Sequence, residues 1–157
     1  KGKTCVGSGN LLMESVHVAH DAFVGNDCII GNGTKLAGET VIDDHAIISA
    51  NVLMHQFCHV GGYTMVGGGT RFSQDIPPYT ICAREPAAYC GLNLVGLRRR
   101  GFSNELIENI HNAYRIIYQG GVTLNEALQK VREEIPASSE IEYIINFIEK
   151  AKRGFVH

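Results

Sequence analysis

The sequence predicts a mainly β domain followed by α: a parallel β-solenoid of three-sided coils over residues 1–77, a connecting loop over 78–101 and a helical domain over 102–157. Three observations predict it. The first is a six-residue apolar repeat in the first half, which contributes Val6, Leu12, Val18, Val24, Ile30, Leu36, Ile42, Ile48, Met54, Val60, Val66 and Phe72, twelve apolar residues in twelve trials. Composition alone would give about five or six. The second is a shift in character at Pro77-Pro78: residues 1–77 hold 12 of the 18 glycines with only 4 basic side chains, while residues 78–157 hold 10. Two prolines in succession end a strand ladder because neither ring carries a backbone donor. The third is a 3.6-residue apolar period after residue 102.

A period of six fits neither a helix nor a plain strand, but it suits a coil with flat sides joined by corners, one aliphatic residue per side pointing inward. Three sides close a coil of eighteen residues, so residues at i, i+18 and i+36 stack in columns about 4.8 Å apart. Residues 6–77 make four coils. The position after each anchor and the fifth position of the repeat are mostly small, as corners require. A solenoid end needs a cap; Pro77-Pro78 and the segment after them can supply one, whereas the five residues before Val6 carry no capping signature. Further coils are therefore expected upstream of Lys1.

In the second half, Ile107, Ile110, Tyr114 and Ile117 form an apolar stripe that opens near Ser103 and stops at Gly120-Gly121. Thr123 with Glu126 is a capping-box pattern opening a second helix that Pro136 ends, and Ser139 with Glu142 opens a third with Ile141, Ile144, Ile145 and Ile148. These two starts pair a hydroxyl cap with an acid three residues on.

Composition excludes several classes. The 14 Lys plus Arg against 16 Asp plus Glu leave no basic field for nucleic acid, and no apolar run reaches the roughly 18 residues of a membrane span. Cys5, Cys28, Cys58, Cys82 and Cys90 are odd in number and never spaced C-x-x-C, so they read as small core residues of a cytoplasmic protein.

Four of the seven histidines, His17, His20, His55 and His59, lie in the repeat, where regularity demands none. His20 precedes Asp21 and stacks beneath Gly38, Gln56 and Gln74. A neutral imidazole held by a carboxylate can take a proton from an attacking hydroxyl. Gly38, with no side chain, leaves its N–H open to a developing oxyanion, although a turn glycine would look the same. Zinc is the competing chemistry. Ligands from one column would differ by 18 or 36, and no pair among His17, His20, His45, His55 and His59 does, the nearest being 35 for His20 with His55. Arg98-Arg99-Arg100 could grip phosphate, and Gly67-Gly68-Gly69 lacks the spacing of a nucleotide loop.

Taken together, His17-Val-Ala-His20-Asp21, Leu36-Ala-Gly38, His55-Gln56-Phe57-Cys58, Val66-Gly-Gly68, Asp75-Ile-Pro-Pro-Tyr79 and Gly96-Leu-Arg-Arg-Arg-Gly-Phe102 resemble the acyl-carrier-protein-dependent UDP-N-acetylglucosamine O-acyltransferases of lipid A biosynthesis. The likeness covers essentially the whole chain. It implies a left-handed β-helix, a homotrimer with sites between subunits, and transfer of a 3-hydroxyacyl group from the carrier's phosphopantetheine thioester to the sugar 3-hydroxyl, with no resident metal or other cofactor. It further implies that His20 is the general base, Asp21 its support and Gly38 N–H the oxyanion donor. By the same resemblance His17, His55 and Gln56 line the cleft around sugar, phosphate and acyl chain. Asn93, Arg99 and Arg100 then contact the nucleotide or the carrier's cofactor, and Gly68 sets acyl length. Glu39 stands where many relatives carry His, at a sugar or acyl contact, and the family's earlier coils bring an acidic residue and a lysine to the substrate. Two other classes compete with this one: a zinc-dependent hexapeptide enzyme like γ-class carbonic anhydrase, and a non-catalytic β-helical scaffold.

Overall fold

The computed structural model describes residues 2–157, and twelve two-residue strands mark its first part. They stack into three parallel sheets. The first joins β1 (Cys5–Val6), β4 (Phe23–Val24), β7 (Val41–Ile42) and β10 (His59–Val60); the second joins β2 (Leu11–Leu12), β5 (Ile29–Ile30), β8 (Ile47–Ile48) and β11 (Met65–Val66). The third joins β3 (His17–Val18), β6 (Lys35–Leu36), β9 (Leu53–Met54) and β12 (Arg71–Phe72). Every pairing among these twelve has a register of eighteen, as in Val24↔Ile42 and Leu36↔Met54. The six-residue anchors are therefore the inner columns of a three-sided prism.

From Val24 to Val66 the anchors are essentially inaccessible, with Ile30, Leu36, Ile42 and Ile48 at 0% exposure, whereas Val6 and Leu12 on the first coil are 44% and 41% exposed. Among the described residues the first coil has a neighbouring coil on one side only. Thr34, Thr40, Thr64 and Thr70 are buried at the corners and direct their hydroxyls to main-chain carbonyls, Thr34 to Ser49 at 2.8 Å and Thr70 to Gly67 at 2.7 Å. A buried hydroxyl left without such an acceptor would be costly. The five thiols are free. Burial pushes Cys58 up to about 11 and Cys82 up to about 12, as expected of thiols that serve as core atoms.

The corners carry a feature the repeat does not reveal. Residues there occupy the left-handed region, and most of these are not glycine: Asp21, Glu39 and Phe57 at one corner have φ of 58°, 55° and 69°. Non-glycine residues avoid this region because Cβ crowds the following carbonyl. What holds them there is a second ladder, in which the N–H of Glu39 donates to His20 O at 3.0 Å, that of Asn51 to Asn32 O at 2.8 Å and that of Phe57 to Gly38 O at 3.2 Å.

The close approach of coils also explains the glycine excess. A Cβ at Gly61 would lie 2.5 Å from the backbone Cα of Pro78, which cannot move without displacing the end of the prism. Gly61→Ala is expected to destabilise by roughly 3 kcal/mol, the upper part of the usual overpacking range, measured as a lowered denaturant midpoint; an unchanged midpoint would show that the prism end is pliable.

The chain does not run as a loop from 78 to 101. Strand β13 (Thr80–Ala83) pairs in parallel with β11, and β14 (Ala88–Leu92) folds back antiparallel on it, so the second sheet's last edge is covered directly after Pro77-Pro78. Helix α1 (Leu94–Arg99) comes next. One compact unit contains the coils up to Asn93 together with Ala151–His157; the other is Leu94–Lys150. The last seven residues, expected as part of the helical domain, instead return to the prism: Val156 N–H donates to Asp75 O at 2.9 Å, and Val156, 4% exposed, joins the solenoid core.

The helical unit continues with α2 (Asn104–Tyr118), α3 (Leu124–Glu134) and α4 (Ser139–Lys150). Ser103 caps α2, and the Thr123–Glu126 capping box closes reciprocally at 3.2 and 3.0 Å. The hydroxyl that caps α4 belongs to Ser138, one residue before the expected Ser139, and accepts from Ile141 N–H at 3.2 Å. Ile107, Ile110, Tyr114, Ile117, Ile144 and Ile148 are all buried, in keeping with the apolar stripes that the periodicity places inside.

Candidate active site

The third corner of the prism, which comes after the third sheet, gathers the residues with acid–base chemistry. His20 and Gly38 are eighteen apart and meet: a Cβ built on Gly38 would stand 2.5 Å from His20 Nε2 and 2.6 Å from Cε1. The imidazole therefore lies over the one residue type that leaves it room. Its other nitrogen, Nδ1, is 3.0 Å from Asp21 Oδ2. The Asp21 carboxylate accepts a hydrogen bond from Nδ1–H, which leaves the Nε2 lone pair on the Gly38 side.

Asp21 is itself fixed from below. Its Oδ1 accepts from the backbone N–H groups of Gly2 and of Lys3, the latter at 3.1 Å. The His20 side chain, and next the Gly2 amide, hold the Asp21 carboxyl below the usual carboxylate range. No sequence pattern announces these two amides, because the contact depends on where a left-handed corner aims its side chain.

On either side of Gly38 the amides are used: Ala37 N–H donates to Met54 O at 3.2 Å and Glu39 N–H to His20 O at 3.0 Å. Gly38 N–H donates to no acceptor among the described residues. A proton acceptor thus covers a buried glycine whose amide is unengaged, and the two meet at one spot. His20 is 68% exposed at its side chain, so within a single chain this spot is open.

The remaining predicted residues divide by corner. His17 is exposed on the outer face of β3, paired in register with Lys35. His55 is exposed one coil above Ala37, its Nδ1–H donating to Gln56 O at 3.0 Å, and Gln56 is half-buried above Gly38. Glu39 is half-buried at the left-handed position beside Gly38. Gly68 lies at the second corner, where a Cβ would meet Ala50 O at an ordinary 3.5 Å. Asn93 is buried beside the first corner; its side chain donates to Tyr63 O at 3.0 Å and its backbone N–H to Tyr79 O at 2.9 Å. One chain does not bring Gly68 and Asn93 to His20. Arg99 and Arg100 are exposed at the end of α1, in the other unit.

Above His55 an open cleft of about 520 Å³ runs along the last two coils of the third sheet, touching Leu53, Arg71, Gln74 and Val156. No motif singles out Arg71 in the sequence; its place eighteen residues after Leu53 and fifty-four after His17 is the signal that could have found it. Among the described residues no three His, Cys, Asp or Glu side chains converge to hold a metal ion, and no helix is long and apolar enough to cross a membrane.

Comparison with known proteins places the fold and the family. The curated acyl-[acyl-carrier-protein]–UDP-N-acetylglucosamine O-acyltransferase of Myxococcus xanthus is 47% identical over 153 residues, 98% of this chain and 59% of the relative. That of Aliivibrio salmonicida is 40% identical over 156 residues, 99% of this chain and 60% of the relative. The chain spans about 60% of the length of the curated relatives it matches. A solved UDP-N-acetylglucosamine acyltransferase from Bacteroides fragilis superposes with a TM-score of 0.92 at 70% identity, covering 94% of this chain and 58% of that one. The prism is the left-handed β-helix of these structures. Residues 75–156, just over half of the chain, match the family model described as UDP N-acetylglucosamine O-acyltransferase, domain 2, and the chain belongs to that family.

Proposed function

We propose that the protein transfers a 3-hydroxyacyl chain from acyl carrier protein to the 3-hydroxyl of UDP-N-acetylglucosamine, the first step of lipid A biosynthesis. The observation that carries this reading is the contact of His20 Nε2 with Gly38 beside an unengaged amide. His20 Nε2 takes the hydroxyl proton as the sugar oxygen attacks the thioester carbonyl. Gly38 N–H donates to the oxyanion of the tetrahedral intermediate. Collapse breaks the carbon–sulfur bond, and the leaving thiolate recovers the proton from the imidazolium, so ester and free carrier thiol form and the base is restored. Asp21 keeps Nδ1 protonated throughout. In this reading His17, His55 and Gln56 position sugar, phosphate and acyl chain, Glu39 borders them, and Asn93, Arg99 and Arg100 serve the nucleotide or the carrier's cofactor. The carrier's phosphopantetheine thioester is a co-substrate, and no other cofactor is required. These substrates belong to the cytoplasm.

A homotrimer fits the same reading. The outer column of the second sheet is aliphatic throughout, with Leu11, Ile29 and Met65 at 53%, 36% and 38% exposure around Ile47. In a three-fold ring that column of one copy would face the His20 corner of the next and wall it in. Incubating the protein with a 3-hydroxyacyl carrier protein and UDP-N-acetylglucosamine should yield the O-acylated nucleotide sugar by mass spectrometry; no product with any 3-hydroxyacyl donor would reject the reading. Gly68→Met should shift preference to shorter donors, since the position accepts a side chain without backbone strain. Unchanged chain-length selectivity would remove Gly68 as the ruler.

A further inference from the structure

We infer that Arg71 and the cleft beside it hold the phosphate and the adjoining methyl-bearing carbons of the carrier's phosphopantetheine arm, which makes Arg71 a specificity-determining residue for the acyl donor. The inference rests on the acyl-carrier function proposed for the His20 site.

His17, Lys35, Leu53 and Arg71 form one outer column of the third sheet in direct register. Rungs about 4.8 Å apart place Arg71 on the order of 14 Å along the prism from His17. The two cations between which Leu53 lies are not equivalent. Lys35 Nζ donates to Ser15 O at 2.8 Å, while the exposed Arg71 guanidinium makes no hydrogen bond or ion pair among the described residues. It opens onto the cleft of about 520 Å³, whose apolar wall includes Leu53, Phe72, Ala87 and Val156 and which His55 and Gln74 also line.

An unpaired guanidinium presents a planar fork of donors that suits a phosphate. The wall beside it selects what the phosphate is attached to. A nucleoside diphosphate puts a hydroxylated ribose next to its phosphates, and only its more distant base could use Leu53 and Phe72. A phosphopantetheine joins its phosphate through one methylene to a carbon bearing two methyl groups, then continues as two amides to the sulfur. Anion, branched aliphatic group and amides meet a cation, an apolar wall and the polar His55 and Gln74 in one cleft. Extended, the arm spans about 15 Å from phosphorus to sulfur, so a phosphate at Arg71 lets the thioester reach the coils of His20 and Gly38. Glu85 also lines the cleft. Its carboxylate opposes an anion there, which supplies a test of opposite sign.

The test is calorimetric titration of the full chain with 4′-phosphopantetheine, with pantetheine and with UDP. Arg71→Met, which keeps an apolar stem, should weaken 4′-phosphopantetheine about 10-fold or more and leave pantetheine, UDP and the thermal midpoint unchanged. Glu85→Gln should tighten 4′-phosphopantetheine a few-fold. Equal affinity of the parent protein for phosphorylated and unphosphorylated arm overturns the inference, and so does an Arg71→Met effect confined to UDP. Acyl transfer with an unaltered KM for the acyl carrier in Arg71→Met rejects this subsite and leaves the reaction standing. An Arg71-dependent preference for the phosphorylated arm in a protein that transfers no acyl group keeps the subsite and rejects the reaction.

Discussion

Replacing His20 by alanine should lower turnover by about 10² to 10⁴, the range of a positioned general base, with unfolding changed by no more than about 0.5 kcal/mol, as for other surface positions. The two expectations come from one observation. The imidazole is 68% exposed and lies beside the half-buried Asp21 and over the buried Gly38, so its removal uncovers that glycine and opens no core cavity. Asp21 remains tied to the Gly2 and Lys3 amides and stays in place without the ring. Its carboxyl, already below the usual range, loses its largest source of stabilisation but keeps the amide donors, so it is still ionised at neutral pH. Rate and midpoint measured on the same preparation separate a catalytic role from a packing role. A near-normal rate would mean that another group takes the proton, and the match of His20 with Gly38 would then be coincidence.

How much of the molecule is legible in its sequence depends on the range of the forces involved. The anchors from Val24 to Val66 are legible because burial recurs every six residues and hydrophobicity records burial directly. The His20–Gly38 contact is legible for the same reason: once the coil length is eighteen, columns emerge by arithmetic. The left-handed corners are not. Glycine and asparagine advertise that conformation, and here Phe57 and Tyr63 adopt it, at φ of 69° and 58°, because ladder hydrogen bonds to the coil below outweigh their preference. The return of Val156 to the core is hidden too, since seven residues show no period and the partners of this segment at Ser73 and Asp75 are about eighty positions away in sequence. Asn93 shows a different limit. Resemblance assigns it to the nucleotide, and in one chain its amide is spent on Tyr63 O, so any contact to ligand must use what that bond leaves over.

Gly38→Ala should lower turnover by about 10² to 10³, the loss seen when an oxyanion donor is misplaced, and here too the fold should survive. The reason lies in which atoms the new methyl would meet. At Gly38 they are Nε2 and Cε1 of His20, the far end of a side chain that is free to swing toward solvent. At Gly31 the nearest atoms are Ala50 N at 2.5 Å and Ser49 C at 2.6 Å, main-chain atoms bound into the next coil. Identical methyl groups therefore have opposite consequences: one evicts the imidazole from its place over the amide, the other forces two coils apart. Turnover and denaturant midpoint should dissociate in Gly38→Ala and fall together in Gly31→Ala. If Gly38→Ala retained parental turnover, the imidazole would be working from some position other than the one over Gly38, and the amide of Gly38 would have no claim on the oxyanion. If it unfolded as readily as Gly31→Ala, the ring would be part of the prism's packing, and the loss of activity in His20→Ala would need a structural explanation in place of a chemical one.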